Sequence, residues 1–105
     1  MYRCVFAISY RVDRPRDAMY RYWEDVHAPL VLAVPGLTKY VISTVADDLG
    51  EPRFDGLAEL WFADRAAYEA AMASDYWNDT VVADSENFLD TGKTFGAVLS
   101  EKRLR

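Results

Sequence analysis

The sequence contains one cysteine and one histidine, and it has no long hydrophobic run. Cys4 cannot form a disulfide within the chain, which is typical of proteins held in a reducing compartment. No apolar stretch approaches the ~20 residues that cross a bilayer, and the N-terminus lacks the basic and apolar segments of a signal peptide. A length of 105 residues is enough for one hydrophobic core. We therefore expect a single cytoplasmic domain, residues 1–105, with no membrane partner.

Positive charge is also scarce. The formal net charge is −5, and the arginines between positions 11 and 21 are interrupted by acidic side chains. Such a chain offers no basic stripe for phosphates, which argues against a nucleic-acid partner. One histidine and one cysteine fall short of a three-ligand metal set, and the five glycines are too scattered for a phosphate-binding loop. We therefore expect no nucleic acid, no metal and no dinucleotide cofactor.

Aromatic residues, by contrast, are abundant, with seven tyrosines, five phenylalanines and three tryptophans. Each one buries a large apolar area, so together they can line a pocket or seal an interface. If the fold contains a pocket, their number favours a flat, apolar ligand.

Alternation of side-chain character predicts four β-strands, at residues 2–12, 37–46, 53–62 and 94–101. In the first strand one face is strongly apolar, whereas the other is mixed rather than polar. A mixed face of this kind is often covered, which indicates burial on both sides of the sheet. Only a short polar loop, residues 47–52, separates the middle two strands, so we predict that they form a hairpin.

Two helices are predicted between the strands. A proline in the first turn marks the start of the first helix, which runs to about Ala28 with an apolar stripe along one side. Asp64 is a suitable N-cap for the second helix, which ends at about Ser74. Residues 75–92 are polar and are predicted to be irregular, with a helical turn around Trp77 to Ala83.

The predicted order of elements is β-α-β-β-α-β, which is the split unit of the ferredoxin-like α+β fold. Its four-stranded antiparallel sheet carries both helices on one face. The other face needs a cover, and a second copy of the same chain is the simplest one. We therefore predict a homodimer.

The only histidine, His27, lies two residues before Pro29. Pro29 cannot donate a backbone hydrogen bond to Asp25, and it biases Ala28 away from helical angles, so we expect the first helix to kink or break there. A side chain at such a turn can be aimed into a cavity, and a pKa near 6.5 suits a general acid or base. The alternative is a structural histidine that closes the helix end, where the helix dipole favours it.

Glu59 lies in the middle of the third predicted strand. A carboxylate there must face solvent, a partner or a cavity, because burial without a partner is costly. It could orient or ionise His27, or it could form a salt bridge with an arginine or lysine of a neighbouring strand. The side chains that could bind a substrate, or instead fill the core, are Tyr10, Trp23, Tyr40, Trp61, Tyr68, Met72, Trp77 and Phe88.

Several segments together resemble the EthD family over nearly the whole chain. Residues 21–30 contain Trp-x-x-x-His-x-Pro, residues 34–37 read Val-Pro-Gly-Leu, and residues 55–62 read Asp-Gly-Leu-Ala-Glu-Leu-Trp-Phe. Residues 74–77, Ser-Asp-Tyr-Trp, extend the likeness. The resemblance implies a dimeric α/β barrel, in which two ferredoxin-like units pack sheet to sheet. It also implies a pocket between helices and sheet that works without a cofactor.

The residues and the resemblance together give a first hypothesis for function. It is a cofactor-independent lyase, cyclase or isomerase that acts on an aromatic polyketide-like or lactone substrate. His27 would be the general acid–base, Glu59 would tune it, and Tyr10 and Tyr40 would position the oxygen that gains negative charge.

Two alternatives remain open. In the first, the protein is a non-catalytic EthD-type accessory or binding protein, in which His27 is structural and the aromatic residues fill the core and the dimer interface. In the second, it is a cofactor-independent monooxygenase on the same barrel, which would need an electron-rich phenolic substrate and would consume oxygen.

Overall fold

The computed structural model of the chain describes residues 1–46 and 53–105. The predicted polar loop at residues 47–52 lies outside the described residues. The elements in chain order are β1 (Tyr2–Ile8), α1 (Arg16–Tyr22), a first π-helical segment (Trp23–His27), α2 (Ala28–Leu32), β2 (Leu37–Thr44), β3 (Gly56–Phe62), α3 (Arg65–Ala73), a second π-helical segment (Tyr76–Val82), α4 (Ala83–Ser85) and β4 (Phe95–Leu99). None of the helices described is long and apolar enough to cross a membrane.

The four strands form one antiparallel sheet in the order β2-β3-β1-β4. β2 and β3 are neighbours, so the predicted hairpin is confirmed. The helical segments pack against one face of this sheet and enclose the hydrophobic core with it. This is the ferredoxin-like α+β fold that the order of elements predicted.

The first strand is shorter than predicted. β1 ends at Ile8 rather than at residue 12, because the chain beyond it bonds to a segment near the C-terminus. The backbone N–H of Asp90 donates to the carbonyl of Ser9 at 2.8 Å, and the N–H of Arg11 donates to the carbonyl of Phe88 at 3.0 Å. This pairing holds Phe88 in the core. β2, β3 and β4 are also shorter than predicted.

Strand alternation gives the sheet an inner face, toward the helices, and an outer face. On β3, Leu60 and Phe62 point inward, and each is at most 1% exposed. Cys4 of β1 lies opposite Leu60 and shares the inner face. Glu59 and Trp61 alternate with these residues and therefore lie on the outer face. The side chains of Glu59 and Trp61 are consequently separated from the core by the sheet.

The outer face combines charged, aromatic and aliphatic side chains, as the mixed pattern of the sequence indicated. Arg3 Nη1 donates to Glu59 Oε2 at 3.1 Å. The Nζ atom of Lys39 lies 4.6 Å from the centre of the Trp61 ring, within the range of a cation–π contact. Val41 lies opposite Glu59 and is half-buried. The face is thus neither a closed core nor a fully polar surface.

The first helix does not break at Ala28, which corrects the expectation drawn from Pro29. The backbone remains helical to Leu32, because the N–H of Ala28 donates to the carbonyl of Trp23, five residues back. This π-helical turn brings Pro29 into the first turn of α2, where a missing N–H costs little. His27 is the last residue of the π-helical turn rather than the end of the helix.

The second helical region begins as predicted and continues further than predicted. Asp64 caps α3, since its Oδ1 accepts a hydrogen bond from the N–H of Ala67 at 2.8 Å. The helical turn predicted around Trp77 to Ala83 is found as the second π-helical segment, and α4 extends it to Ser85, into residues that were predicted to be irregular. The hydroxyl of Tyr76 donates to the carbonyl of Leu30 at 2.6 Å and ties this region to α2.

Gly56 lets Trp23 pack directly on the sheet, and this contact can be tested. A Cβ at Gly56 would lie 2.5 Å from the carbonyl oxygen of Ser43 and 2.9 Å from the Trp23 ring. Gly56→Ala is therefore expected to lower the free energy of unfolding by about 1–3 kcal/mol, as measured by urea denaturation. Gly92→Ala is the matched control, because a Cβ there would meet one side-chain oxygen at 3.4 Å. Equal losses for the two variants would contradict the packing argument.

Candidate functional site

A cavity lies between the inner face of the sheet and the helical segments that cover it. Its volume is about 230 Å³. The side chains singled out from the sequence that line it are His27, Trp23, Tyr40, Trp77 and Phe88. Leu60 and Val81 contribute aliphatic surface, and Ser85 and Thr94 contribute hydroxyl groups. The wall is therefore mostly apolar, with a few polar atoms that can orient a ligand.

His27 reaches this cavity from the end of the first π-helical segment. Its side chain is buried, at 6% exposure for the residue. Nδ1 lies 2.9 Å from Oδ2 of Asp84, which belongs to α4. The ring also packs on Phe88, with 4.7 Å between ring centres. Asp84 is the one hydrogen-bond partner of the imidazole within the described parts of the chain.

Asp84 is itself held by two further side chains. The hydroxyl of Tyr22 donates to Oδ1 of Asp84 at 2.6 Å, and Nδ2 of Asn87 donates to the same oxygen at 3.0 Å. Asn87 also donates to the Tyr22 hydroxyl oxygen at 3.1 Å. The two carboxylate oxygens therefore have separate roles, because Oδ1 is anchored by Tyr22 and Asn87 whereas Oδ2 faces His27.

The protonation of the pair follows from these contacts. Burial lowers the pKa of His27 below its usual value, and this effect outweighs the hydrogen bond and charge of Asp84, which raise the pKa. Burial raises the pKa of Asp84, but hydrogen bonds from Tyr22, His27 and Asn87 together outweigh it, so that this pKa lies below its usual value. At neutral pH the pair is an uncharged imidazole beside a carboxylate.

This charge state fixes the tautomer of His27. A carboxylate can only accept hydrogen bonds, so Nδ1 carries the proton, and the Nδ1–H group donates a hydrogen bond to Asp84. Nε2 is then the unprotonated nitrogen, with a lone pair free to accept a proton from a ligand. In chemical terms the site offers a neutral general base in an apolar cavity, oriented by a carboxylate on its far side.

Tyr40 is the second titratable side chain on the cavity wall that the sequence had singled out. Burial raises the pKa of Tyr40 to about 12, although hydrogen bonding with Trp23 partly opposes the shift. The phenol therefore keeps its proton at neutral pH and can act as a hydrogen-bond donor to a ligand oxygen.

Glu59 does not orient His27, which corrects the pairing expected from the sequence. The two residues lie on opposite sides of the sheet, because Glu59 alternates with the inward-facing Ala58 and Leu60. Glu59 is instead bonded to Arg3, which is the cross-strand salt bridge that the sequence left as its alternative. Asp84 takes the position beside the imidazole.

Four other candidates lie outside the cavity. Trp61 is on the outer face, stacked under Lys39. Tyr10 lines a separate depression near Arg16, and burial raises its pKa to about 12. Tyr68 and Met72 line a neighbouring groove between α3 and β4. None of the four is among the residues that line the cavity with His27.

Asp84 is the functional candidate that sequence reasoning missed. It lies in the region predicted to be irregular, and it belongs to no recognisable motif. The one signal in the sequence is spacing, because Val81, Ser85 and Phe88 repeat at helical intervals and all face the cavity. A helix through them would have placed the polar residue Asp84 on the flank of this apolar face.

A metal site is not evident in the residues that the structure describes. Within the ranges 1–46 and 53–105, no three His, Cys, Asp or Glu side chains are arranged to hold an ion. Cys4 lies in the core, and burial raises the pKa of its thiol to about 11. A thiol of this kind stays protonated at neutral pH and is a poor ligand or nucleophile.

Known proteins resemble this chain both in sequence and in fold. A family model described as the EthD domain matches residues 13–92. No curated protein matches the sequence.

Solved structures share the fold of the whole chain. An ethyl tert-butyl ether D (EthD) family protein from Bacillus halodurans is 20% identical with a TM-score of 0.80, over 97% of this chain and 100% of its own. A dimeric ferredoxin-like protein of unknown function from Thermobifida fusca is 12% identical with a TM-score of 0.72, over 95% and 90%. A candidate antibiotic biosynthesis monooxygenase from Nitrosomonas europaea is 16% identical with a TM-score of 0.65, over 98% and 100%. At these identities the likeness shows the fold alone.

The single histidine makes the His27–Asp84 pair directly measurable. An NMR titration contains one imidazole, and we expect a pKa below 6.5 with the Nδ1–H tautomer in the neutral form. Asp84→Asn removes the carboxylate that raises the pKa of His27, so the titration should move to still lower pH. Asp79→Asn, at an exposed acidic residue of the second π-helical segment, should leave it unchanged.

The same shift predicts how stability depends on pH. The pKa of His27 is lower in the folded chain than in the unfolded chain, so unfolding takes up a proton as the pH falls below about 6.5. Stability that is present above this pH is therefore lost on acidification through the folded-state pKa, and His27→Gln should remove that part of the dependence. A pKa of His27 at or above 6.5 would contradict the assignment.

Proposed function

Because its residues 13–92 match the EthD domain, the chain belongs to the EthD family, and we propose that it is a cofactor-independent acid–base enzyme. The observation that carries the proposal is the position of buried His27 on the wall of an apolar cavity, with Nδ1 2.9 Å from Oδ2 of Asp84, an arrangement that leaves Nε2 as the unprotonated nitrogen. The reaction class is dehydration, cyclisation or isomerisation. The substrate class is a small aromatic, polyketide-like or lactone compound.

The proposed chemistry begins with proton transfer to His27. Nε2 takes a proton from the carbon next to a carbonyl group: the C–H bond breaks, an N–H bond forms, and the electron pair moves onto the oxygen as an enolate. The carboxylate of Asp84 stabilises the imidazolium that results. The protonated Tyr40 hydroxyl supports the proposal, because it can donate a hydrogen bond to the enolate oxygen.

The second step returns the proton. In a dehydration the enolate expels a hydroxyl group from the β-carbon, and the imidazolium protonates it as it leaves, so that water and an unsaturated carbonyl compound are formed. In an isomerisation the proton goes back to a different carbon. Either route regenerates neutral His27 and needs no oxidant, reductant or bound cofactor.

We further propose that two copies of the chain form a homodimeric α/β barrel through their outer faces. The half-buried Val41 and Leu57 on this face support the proposal, since aliphatic surface gains from cover. The Thermobifida fusca protein with the same fold is described as dimeric. The salt bridge between Arg3 and Glu59 would then lie inside the barrel.

Turnover tests the role of His27. Small aromatic polyketides, anthrones and muconolactones would be screened by ultraviolet absorbance, and His27→Gln is expected to lower kcat/KM by about 10²- to 10⁴-fold. Asp84→Asn should lose part of this rate, because the imidazolium is no longer stabilised. Glu59→Gln should remain close to wild type, because Glu59 lies on the other side of the sheet.

The pH profile gives an independent reading of the same step. A base must be unprotonated, so kcat/KM should be constant at neutral pH and fall as the pH drops through the pKa of His27, below about 6.5. Full turnover by His27→Gln would remove His27 from the mechanism. Oxygen uptake in proportion to product would favour the monooxygenase alternative instead.

Sedimentation tests the dimer. At micromolar concentration we expect a species of twice the chain mass of 12.0 kDa. Val41→Asp should shift it toward the monomer, because it places a charge in the middle of the proposed interface. Val12→Asp is the control, since Val12 is 87% exposed and lies outside the sheet. A wild-type monomer under these conditions would overturn the proposal.

A further inference from the structure

A groove adjoins the cavity between α3 and β4. Tyr68 and Met72 of α3 and Val98 of β4 line it. The residues that line both the groove and the cavity are Phe6, Trp77, Val82 and Gly96. The two spaces therefore share one wall, and three of its four members are apolar side chains.

Two of the four residues of this wall are aromatic. Phe6 and Trp77 have ring centres 5.9 Å apart and are tilted by 31°. Gly96 lies against Phe6 so closely that a Cβ would come within 2.7 Å of the ring. The boundary between groove and cavity is consequently formed by two aromatic rings, one of which packs against the bare backbone of β4 at Gly96.

The size of the cavity limits what can lie beside His27. An apolar protein cavity of about 150 Å³ accepts benzene, and sites for drug-sized ligands measure about 300–1,000 Å³. At about 230 Å³ the cavity has room for one substituted ring. A ligand larger than this must extend out of the cavity, and the shared wall is where a further apolar space begins.

We propose that the groove binds an apolar substituent of the ligand whose ring lies next to His27. The favoured ligands are then aromatic ketones or lactones of one ring that carry an alkyl or aryl extension. Phe6 and Trp77 determine specificity at the junction, and Met72 and Val98 contact the extension. The position of the ring next to His27 rests on the proposed function. What is new here is that the groove binds the apolar extension.

The test compares the affinities of a ligand series. Acetophenone and its 4′-ethyl, 4′-butyl and 4′-hexyl derivatives would be titrated calorimetrically against the wild-type dimer or monomer as it exists in solution. We expect Kd to fall by roughly three- to fourfold for each added methylene, as for full burial in apolar surroundings. Met72→Lys, which places a charge in the groove, should flatten this dependence and leave the Kd of acetophenone unchanged.

A second variant and a control keep the result interpretable. Val98→Lys introduces the same charge from β4 and should have the same effect if Met72→Lys fails to fold, and Leu32→Lys, at a 65% exposed residue outside both spaces, should behave as wild type. An equal chain-length dependence in wild type and both groove variants would overturn the inference. So would a change of oligomeric state in both variants, which would mean that a second copy covers the groove. Failure of the proposed function would be seen in a different measurement, namely turnover that is the same in wild type and in His27→Gln.

Discussion

The hydrogen bond between Nδ1 of His27 and Oδ2 of Asp84 connects the two helical regions that cover the sheet. It is formed away from solvent, where an unpaired polar group would be costly, and it therefore constrains both the α2 side and the α4 side of the cavity. Tyr22 and Asn87 hold the other carboxylate oxygen, so the pair cannot rotate freely. The position of Nε2, and with it the chemistry available to a ligand, depends on this one contact.

The division of the sheet into two faces decides which residues can take part. A strand places neighbouring side chains on opposite sides, so Leu60 belongs to the cavity and Glu59 to the outer face. Glu59 was the carboxylate that the sequence suggested for the histidine, and strand geometry excludes it. Helical packing places Asp84 beside the imidazole instead. The topology of the sheet and helices therefore determines which carboxylate can act together with His27.

Much of the fold could be predicted from local patterns. The four strands, the hairpin, the Asp64 cap and the order of elements all follow from alternation and capping, which act over a few residues. His27, Trp23 and Tyr40 could also be recognised as candidates. The features that could not be predicted lie at the π-helical segments. A π-helical turn contains one extra residue, so the side chains beyond it no longer follow the regular helical period from which their positions are predicted. The continuation of the helix past Pro29 and the approach of Asp84 both arise there.

His27 is proposed to move a proton to or from carbon, and the incorporation of solvent deuterium into a bound ligand measures this step itself. An aromatic ketone or lactone that binds the protein would be incubated in deuterium oxide, and label at the carbon next to the carbonyl would be followed by mass spectrometry. We expect label with wild type and with Glu59→Gln, and a loss of label with His27→Gln. Equal labelling by wild type and His27→Gln, at matched ligand occupancy, would contradict the proposed role of His27.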